Sequence, residues 1–259
     1  MNSETATRAR ELADRLISAR RSQVQMPLAE AEALSAGLDE AGAYVVQARV
    51  CEAFGPARAF KTGRKSVDAP VRFAPILNGG LRPSGTLFSA QEFSSCAIEL
   101  EIGFRVDQAL PPLDADDFAA KARRSVTAMP VIETVFGRVE DFATMPDVLK
   151  LADNQLNAGL LWAEPIAASD RDGDLDLVKP MVDLRFDGAS VVSGRCLVPG
   201  GDAFEVFLAF AAAIGAHCGG LQVDQIVTTG SLTGMIFIDP GTVVEGYIHG
   251  LGSVTTRYA

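Results

Sequence analysis

Cysteine and histidine are scarce in this sequence. Its 259 residues include four cysteines and two histidines, His217 and His249. The cysteines are far apart and form no Cys-x-x-Cys pair, so a thiolate metal site is not expected. Neither histidine has a second histidine at the spacing of metal ligands. We expect free thiols in a reducing, cytoplasmic environment.

Long apolar runs are also absent. The longest such stretch, residues 203–216, is too short to span a bilayer and contains Glu205. Residues 2–22 carry too many charged side chains for an apolar targeting segment. These observations predict a cytoplasmic protein without a membrane partner.

Basic residues are fewer than acidic ones, 23 against 33, which gives a net charge of −10. This charge argues against nucleic acid or an anionic membrane as a partner. An anionic small-molecule substrate stays compatible with it, because a bound metal ion reverses the field around itself. The sequence has no Gly-x-Ser-x-Gly, Walker loop or dinucleotide-binding fingerprint.

The chain changes character near residue 57. Helical spacing of apolar residues predicts helices over 3–21, 28–36 and 38–54, and Gly55-Pro56 ends the third. We therefore predict a small helical N-terminal part, residues 1–57, and a β-rich body, residues 58–259. In the third helix the recurring apolar positions are Ala41, Tyr44, Val45, Ala48 and Cys51.

The β-rich body contains alternating or β-branched runs that predict strands, with turn residues between them. The turn Phe186-Asp187-Gly188-Ala189 predicts a hairpin. Helices are predicted at 114–127, near 145–152 and at 201–216, and strands at 59–63, 97–104, 130–135, 159–162, 177–186, 190–196, 225–230, 242–248 and 253–258.

Two glutamates, Glu99 and Glu101, lie in the alternating segment Ala97–Phe104. Residues i and i+2 of a strand point to the same face, so the two carboxylates are predicted side by side. Such a pair repels unless a cation lies between its members, and carboxylates suit the hard ions Mg²⁺ and Mn²⁺. The alternative is a strand face with two solvated acids.

Several segments, in this order and spacing, resemble the fumarylacetoacetate hydrolase superfamily over nearly the whole chain. They are most similar to its branch of 2-keto-4-pentenoate hydratases and related decarboxylases from aromatic-degradation pathways. The resemblance implies an α+β fold with a mixed β-roll body. The matching segments are Ala97–Phe104, Met129–Phe142, Leu151–Asn154, Val192–Arg195, Val227–Gly234 and Pro240–Val254.

The resemblance implies a metal site formed by Glu99, Glu101 and Glu133, holding Mg²⁺ or Mn²⁺ that a 2-oxo acid chelates. Lys61, in Phe60-Lys61-Thr62-Gly63, matches the family's active-site lysine, and a lowered pKa would let it exchange protons near neutrality. The alternatives are an ordinary strand-end acid for Glu133 and a surface lysine for Lys61.

The resemblance also implies substrate contacts from Asp153 and from the glycine loop that holds Ser231 and Thr233. Asp153 with Asn154 could equally cap or turn the chain, and the loop could be a simple glycine turn. Arg138 lies in a segment that resembles the family, and it could equally form a structural ion pair.

One departure from the family affects the chemistry. The family's hydratases usually carry an acidic residue after the lysine, but residues 75–84 contain no carboxylate. The sequence predicts a metal-dependent lyase that hydrates a 2-oxo-4-enoate to a 4-hydroxy-2-oxo acid. The alternatives are decarboxylation of a 2-oxo diacid such as 4-oxalocrotonate, acylpyruvate hydrolysis and a non-catalytic partner subunit. The resemblance implies a homo-oligomer and permits association with a pathway decarboxylase or hydratase.

Overall fold

The computed structural model of the protein describes residues 3–93, 96–170 and 172–259. These residues form an α+β fold with two sheets, as predicted. The helices are α1 Ser3–Ser22, α2 Leu28–Ser35, α3 Glu40–Phe54, α4 Phe118–Arg124, α5 Asp147–Ala152 and α6 Ala203–Ala213. The strands are β1 Ala59–Gly63, β2 Arg72–Ile76, β3 Leu81–Pro83, β4 Leu87–Phe88, β5 Cys96–Val106, β6 Val126–Val135, β7 Asn157–Trp162, β8 Met181–Phe186, β9 Ala189–Arg195, β10 Ile226–Ser231, β11 Ile236–Ile238, β12 Val243–Ile248 and β13 Gly252–Tyr258.

The larger sheet has the order β2-β1-β10-β5-β6-β7-β3, and β11 pairs with β5. The long antiparallel pair β5–β6 lies at its centre. The smaller sheet has the order β4-β13-β12-β8-β9. The predicted hairpin joins β8 and β9, and Asp187 and Gly188 both have the positive φ that such a two-residue turn requires.

Strand β5 separates two environments. Its even-numbered residues Ile98, Leu100, Ile102 and Phe104 are buried in a core shared with the smaller sheet and α6. Because strand residues alternate between faces, Glu99 and Glu101 point to the opposite face. The apolar core therefore anchors the same strand that presents the carboxylates.

Helices α1–α3 pack on the body rather than apart from it. Their buried residues form one core cluster with residues of α5 and with Leu77, Ala97 and Val135 of the body. Asp39 caps α3 by accepting a hydrogen bond from the Gly42 amide at 2.8 Å. No helix among the described residues is long and apolar enough to cross a membrane.

Two local predictions differ from the structure. The helix predicted over 114–127 is only α4, because Asp117 adopts a left-handed φ of 56° before it and β6 begins at Val126. The buried face of α3 is formed by Ala43, Val46, Gln47 and Val50, whereas Val45 is 51% exposed. Gln47 can be buried because its amide donates to the carbonyls of Phe73 and Leu151.

Gly246 of β12 lies against the side chain of Leu100 of β5, where the two sheets pack together. A Cβ at this position would lie 2.6 Å from Leu100 Cδ1, too close for real atoms. We expect Gly246→Ala to lower the free energy of unfolding by about 1–3 kcal/mol, the usual effect of overpacking a core. Chemical denaturation measures this.

A double variant provides the control. Leu100→Ala removes the side chain that the new methyl group would meet. In that background Gly246→Ala should therefore lower the free energy of unfolding much less than in the wild type. Equal costs in both backgrounds would show that the sheets are not in contact there.

Candidate metal centre

Three carboxylates meet on the face of the larger sheet opposite its apolar core. Glu99 of β5 pairs directly with Glu133 of β6 in the antiparallel register, and Glu101 lies two residues along β5. Directly opposed residues of neighbouring strands project to the same face. One carboxylate oxygen of each residue lies within 4.8 Å of those of the other two. The predicted association of Glu99, Glu101 and Glu133 is therefore present in the structure.

Lys61 lies against this cluster. Its Nζ is 2.9 Å from Glu99 Oε2 and 2.9 Å from Glu133 Oε1. The lysine comes from β1, which is separated from β5 by β10, and its side chain is only 14% exposed. Lys61, which precedes the glutamates in the sequence, thus contacts two of them directly in the folded chain.

The carboxylates have two further partners. Glu101 Oε2 accepts a hydrogen bond of 2.7 Å from the Gly230 amide, and Glu133 Oε1 accepts one of 3.1 Å from Asn157 Nδ2. The second oxygens, Glu101 Oε1 and Glu133 Oε2, are buried and have no hydrogen-bond partner among the described residues.

Three carboxylates and one ammonium leave this cluster with two net negative charges when all four groups are ionised. Buried acceptors without a donor are unfavourable, and a cation would compensate both the charge and the unused oxygens. Carboxylate oxygens are the ligands that Mg²⁺, Mn²⁺ and Ca²⁺ prefer. The residues present therefore fit a divalent cation.

Burial dominates the titration of this cluster. It raises the pKa of Glu133 to about 8, and together with repulsion by Glu99 it raises the pKa of Glu101 to about 7. Burial alone would lower the pKa of Lys61, but attraction by Glu133, Glu99 and Glu101 outweighs it and raises the pKa. Beside these carboxylates alone the pKa of Lys61 is therefore raised, and the lowered pKa expected for a lysine near a metal ion stays a prediction. Its ammonium form is the stable one.

A cavity of about 410 Å³ opens on the carboxylates. Ser231 lines it as predicted, and its Oγ is buried without a partner among the described residues. The other lining residues are Lys61, Thr62, Gly63, Arg64, Lys65, Ala69, Pro70, Arg72, Glu99, Glu101, Asp147, Lys150, Leu151, Gln155, Leu156, Pro199 and Gly230.

Gln155 is a cavity residue that sequence reasoning missed. Its Nε2 is buried without a partner among the described residues. Asn154, Gln155 and Leu156 have φ values of 49°, 50° and 64°. Consecutive non-glycine residues in this region are strained, and such strain is concentrated at functional sites. The adjacent Asp153-Asn154 was a usable signal, because Asx residues tolerate left-handed turns.

Asp153 does not line this cavity, which corrects its prediction as a substrate-binding residue. It is 1% exposed and accepts a hydrogen bond of 2.6 Å from the Arg138 amide. Arg20 Nη2 lies 3.6 Å from its Oδ1. Burial raises the pKa of Asp153, while the two arginines oppose this rise. The carboxylate thus belongs to a buried charge cluster with Arg20 and Arg138.

Thr233 does not line the cavity either. Its hydroxyl accepts a hydrogen bond from the Leu100 amide at 3.1 Å and donates one to the Gly234 carbonyl at 3.1 Å. The hydroxyl is thereby committed to the backbone at the β5 edge. Of the two predicted hydroxyls in this loop, the structure brings only Ser231 to the cavity.

Cationic side chains surround the outer part of the cavity. Lys65 pairs with Asp147 at 2.7 Å, and Arg72 pairs with Glu40 at 3.1 Å. Arg64 donates from Nε to the Gly200 carbonyl at 3.2 Å and has no ion-pair partner among the described residues. The outer cavity therefore keeps an uncompensated positive charge in a protein whose net charge is −10.

No protein-family profile and no curated protein matches the chain. Several solved structures match it. The chain is similar to a 4-oxalocrotonate decarboxylase from Pseudomonas putida G7 in complex with magnesium and adipate, with a TM-score of 0.80 and 18% identity over 100% of this chain and 99% of that chain. It is similar to a fumarylpyruvate hydrolase from Pseudomonas aeruginosa in complex with Mn²⁺ and pyruvate, with a TM-score of 0.54 and 15% identity over 80% and 91% of the two chains.

A 2-hydroxyhepta-2,4-diene-1,7-dioate isomerase from Mycobacterium marinum is also similar, with a TM-score of 0.56 and 16% identity over 79% of this chain and 75% of that chain. These structural neighbours are proteins of the fumarylacetoacetate hydrolase superfamily. The chain has their fold, which confirms the predicted fold class.

The raised pKa of Glu133 predicts an unusual pH dependence of stability in chelator-treated protein. The unfolded chain releases this proton near pH 4.5 and the folded chain only near 8. Folding is therefore favoured below this window, and the stability is lost as the pH rises through it. Relative to Glu133→Gln, the wild type should lose on the order of 1–3 kcal/mol between about pH 5 and pH 8.

Denaturation of both proteins across this pH range measures the difference. Asp147→Asn is the control. A hydrogen bond from Lys65 lowers the pKa of Asp147, so this residue changes the pH dependence of stability only below about pH 5. A difference between wild type and Glu133→Gln that does not change with pH would contradict the prediction.

Proposed function

We propose that this protein is a divalent-metal-dependent enzyme that acts on a small 2-oxo acid. Glu99, Glu101 and Glu133 would hold the ion, Mg²⁺ or Mn²⁺. The observation that carries the proposal is the pair of buried oxygens Glu101 Oε1 and Glu133 Oε2, which have no hydrogen-bond partner among the described residues. Two members of their cluster, Glu99 and Glu101, line a cavity. Structural neighbours solved with magnesium or Mn²⁺ support the choice of ion.

A divalent ion held by Glu99, Glu101 and Glu133 would supply Lewis-acid chemistry, which stabilises negative charge on the oxo oxygen of a 2-oxo acid. Lys61 would hold a proton at Nζ, because the surrounding carboxylates favour its ammonium form. From there it would deliver a proton to the substrate or keep an anionic oxygen in place.

Gln155 and Ser231 would orient the substrate. Both line the cavity, and Gln155 Nε2 and Ser231 Oγ are buried without partners among the described residues. A bound oxo acid would accept hydrogen bonds from these two groups, which would then no longer be unsatisfied. The strained backbone at Gln155 would hold its amide toward the cavity.

Decarboxylation of a 2-oxo diacid is the reaction that the cavity supports best. Hydration requires a base that guides water, and apart from Glu99 and Glu101 the cavity-lining residues offer one carboxylate, Asp147, and no imidazole. Asp147 is paired with Lys65. Loss of CO₂ breaks a carbon–carbon bond, leaves its electron pair on the substrate, and then needs one proton, which Lys61 could supply.

The charge of the outer cavity supports the same choice. A substrate held through its 2-oxo acid end would place a second carboxylate near Arg64, whose charge has no acidic partner among the described residues. The substrate of the predicted hydration, a 2-oxo-4-enoate, has only one carboxylate. Hydration is the second candidate. The alternatives of acylpyruvate hydrolysis and of a non-catalytic role stay predictions. The homo-oligomeric state is likewise still a prediction.

Metal binding is tested by thermal unfolding. Mg²⁺ or Mn²⁺ with oxalate should stabilise the wild type, by about 2.7 kcal/mol when the free ligand is at 100 times its Kd. Glu101→Gln should lose this stabilisation, because it removes one ligand charge. Asp147→Asn, which removes a carboxylate from the outer cavity, should keep it. Absence of any stabilisation of the wild type, with or without oxalate, would refute the metal site.

Substrate charge is tested by the kinetics of Arg64→Gln. The distal carboxylate leaves as neutral CO₂, so Arg64 would bind the ground state rather than the transition state. We expect KM for 4-oxalocrotonate to rise about tenfold or more, with kcat unchanged or raised, because a contact made only in the ground state does not lower the barrier. The wild type should not turn over 2-oxopent-4-enoate, because this monoacid lacks the distal carboxylate that leaves as CO₂. Wild-type turnover of that monoacid but not of the diacid would establish hydration instead.

A further inference from the structure

A second cavity, which we call the arginine cavity, lies outside the metal site. Its volume is about 260 Å³, and it shares no lining residue with the cavity over the glutamates. The residues that matter for its chemistry are Arg20 of α1, Gln25, Gly79, Arg82, Arg138 and Asn157. It therefore lies where the N-terminal helices meet the larger sheet.

Two arginines with little exposure in this cavity, Arg20 and Arg138, share one acid among the described residues. The side chains of Arg20 and Arg138 are 11% and 7% exposed. Their closest carboxylate is Asp153, at 3.6 Å from Arg20 Nη2 and 4.0 Å from Arg138 Nε. Both distances exceed those of charge-assisted hydrogen bonds, which are about 2.7–2.9 Å. The pair of guanidinium groups is only half compensated.

The other charged residues of the cavity do not supply the missing negative charge. Arg82 and Glu92 form an ion pair at 2.6 Å, so their charges cancel. The ionised groups Arg20, Arg138 and Asp153 then sum to +1. A buried charge without a counterion is strongly destabilising. Burial, followed by repulsion from Arg138, lowers the pKa of Arg20 to about 9.

The Arg20 guanidinium also has unused hydrogen-bonding capacity. Its Nε is buried and has no partner among the described residues. Its Nη2 donates to the Asn157 carbonyl over a long 3.4 Å. A guanidinium with free donors and a free cavity beside it matches the fork geometry with which arginine binds oxyanions.

We propose that the arginine cavity binds a small oxyanion, an inorganic phosphate or sulfate or a compact carboxylate, between Arg20 and Arg138. The anion would neutralise the excess charge and accept the unused Arg20 donors. This site is separate from the proposed metal centre and does not rest on the proposed function. Asn157 connects the two, since its carbonyl contacts Arg20 and its amide donates to Glu133.

The test is anion-dependent thermal stability of the full-length, chelator-treated protein, at constant ionic strength with chloride as the reference anion. Phosphate, sulfate and acetate are titrated in separate arms, which distinguishes inorganic oxyanions from carboxylates. The wild type should show a saturable rise in Tm with at least one of them. Arg20→Gln should bind that anion about tenfold or more weakly.

Arg10→Gln serves as the control, because it removes the same charge from an exposed position of the same helix. It should be stabilised like the wild type. Arg64→Gln reports on anions that bind in the other cavity. Equal stabilisation of Arg20→Gln and the wild type, or a loss in Arg64→Gln without one in Arg20→Gln, would overturn the proposal.

A crystallographic measurement covers the case in which Arg20→Gln does not fold. Crystals of the wild type soaked in selenate should show an anomalous peak between the guanidinium groups of Arg20 and Arg138. A cavity without such a peak, or one filled by an acidic side chain of a second copy of the chain, would overturn the proposal.

Discussion

The antiparallel register of β5 and β6 is the constraint on which the candidate site depends. It sets Glu99 opposite Glu133 and leaves Glu101 two residues along the same face. A slip of one residue would turn a strand's acids toward the apolar core, because the side-chain period of a strand is two. Ile98, Leu100 and Ile102, all fully buried on the other face, make such a slip very unfavourable.

Holding these acids together opposes the stability of the fold. Glu101 and Glu133 are fully buried, and neither would ionise easily there. Lys61 offsets part of the repulsion, but one ammonium cannot compensate three carboxylates. The centre therefore remains a place where a cation is favoured by charge and by unused oxygens together. Stability lost at such a site is a common consequence of preparing it for function.

The distribution of charge in the cavities differs from that of the whole chain. The net charge is −10, yet the cavity over the glutamates has Arg64 without an acidic partner among the described residues, and the arginine cavity has a net positive cluster. Local fields in clefts, rather than net charge, determine which small ligands are attracted. Net charge disfavours polyanionic surfaces as partners, but it says little about the substrate.

Local patterns in the sequence determined much of this protein. The helices α1–α3, the hairpin at Asp187-Gly188 and the shared face of Glu99 and Glu101 follow from periodicity and turn chemistry, which act between near neighbours. The resemblance added Glu133 and Lys61, which the fold brings to the same cluster. Contacts between distant segments decided the rest. Asp153 faces Arg20 and Arg138 instead of the cavity, and the Thr233 hydroxyl bonds to the β5 backbone. Gln155, whose Nε2 has no partner among the described residues, lines the cavity. Such assignments depend on which buried polar groups find partners, and only the packed tertiary structure settles that.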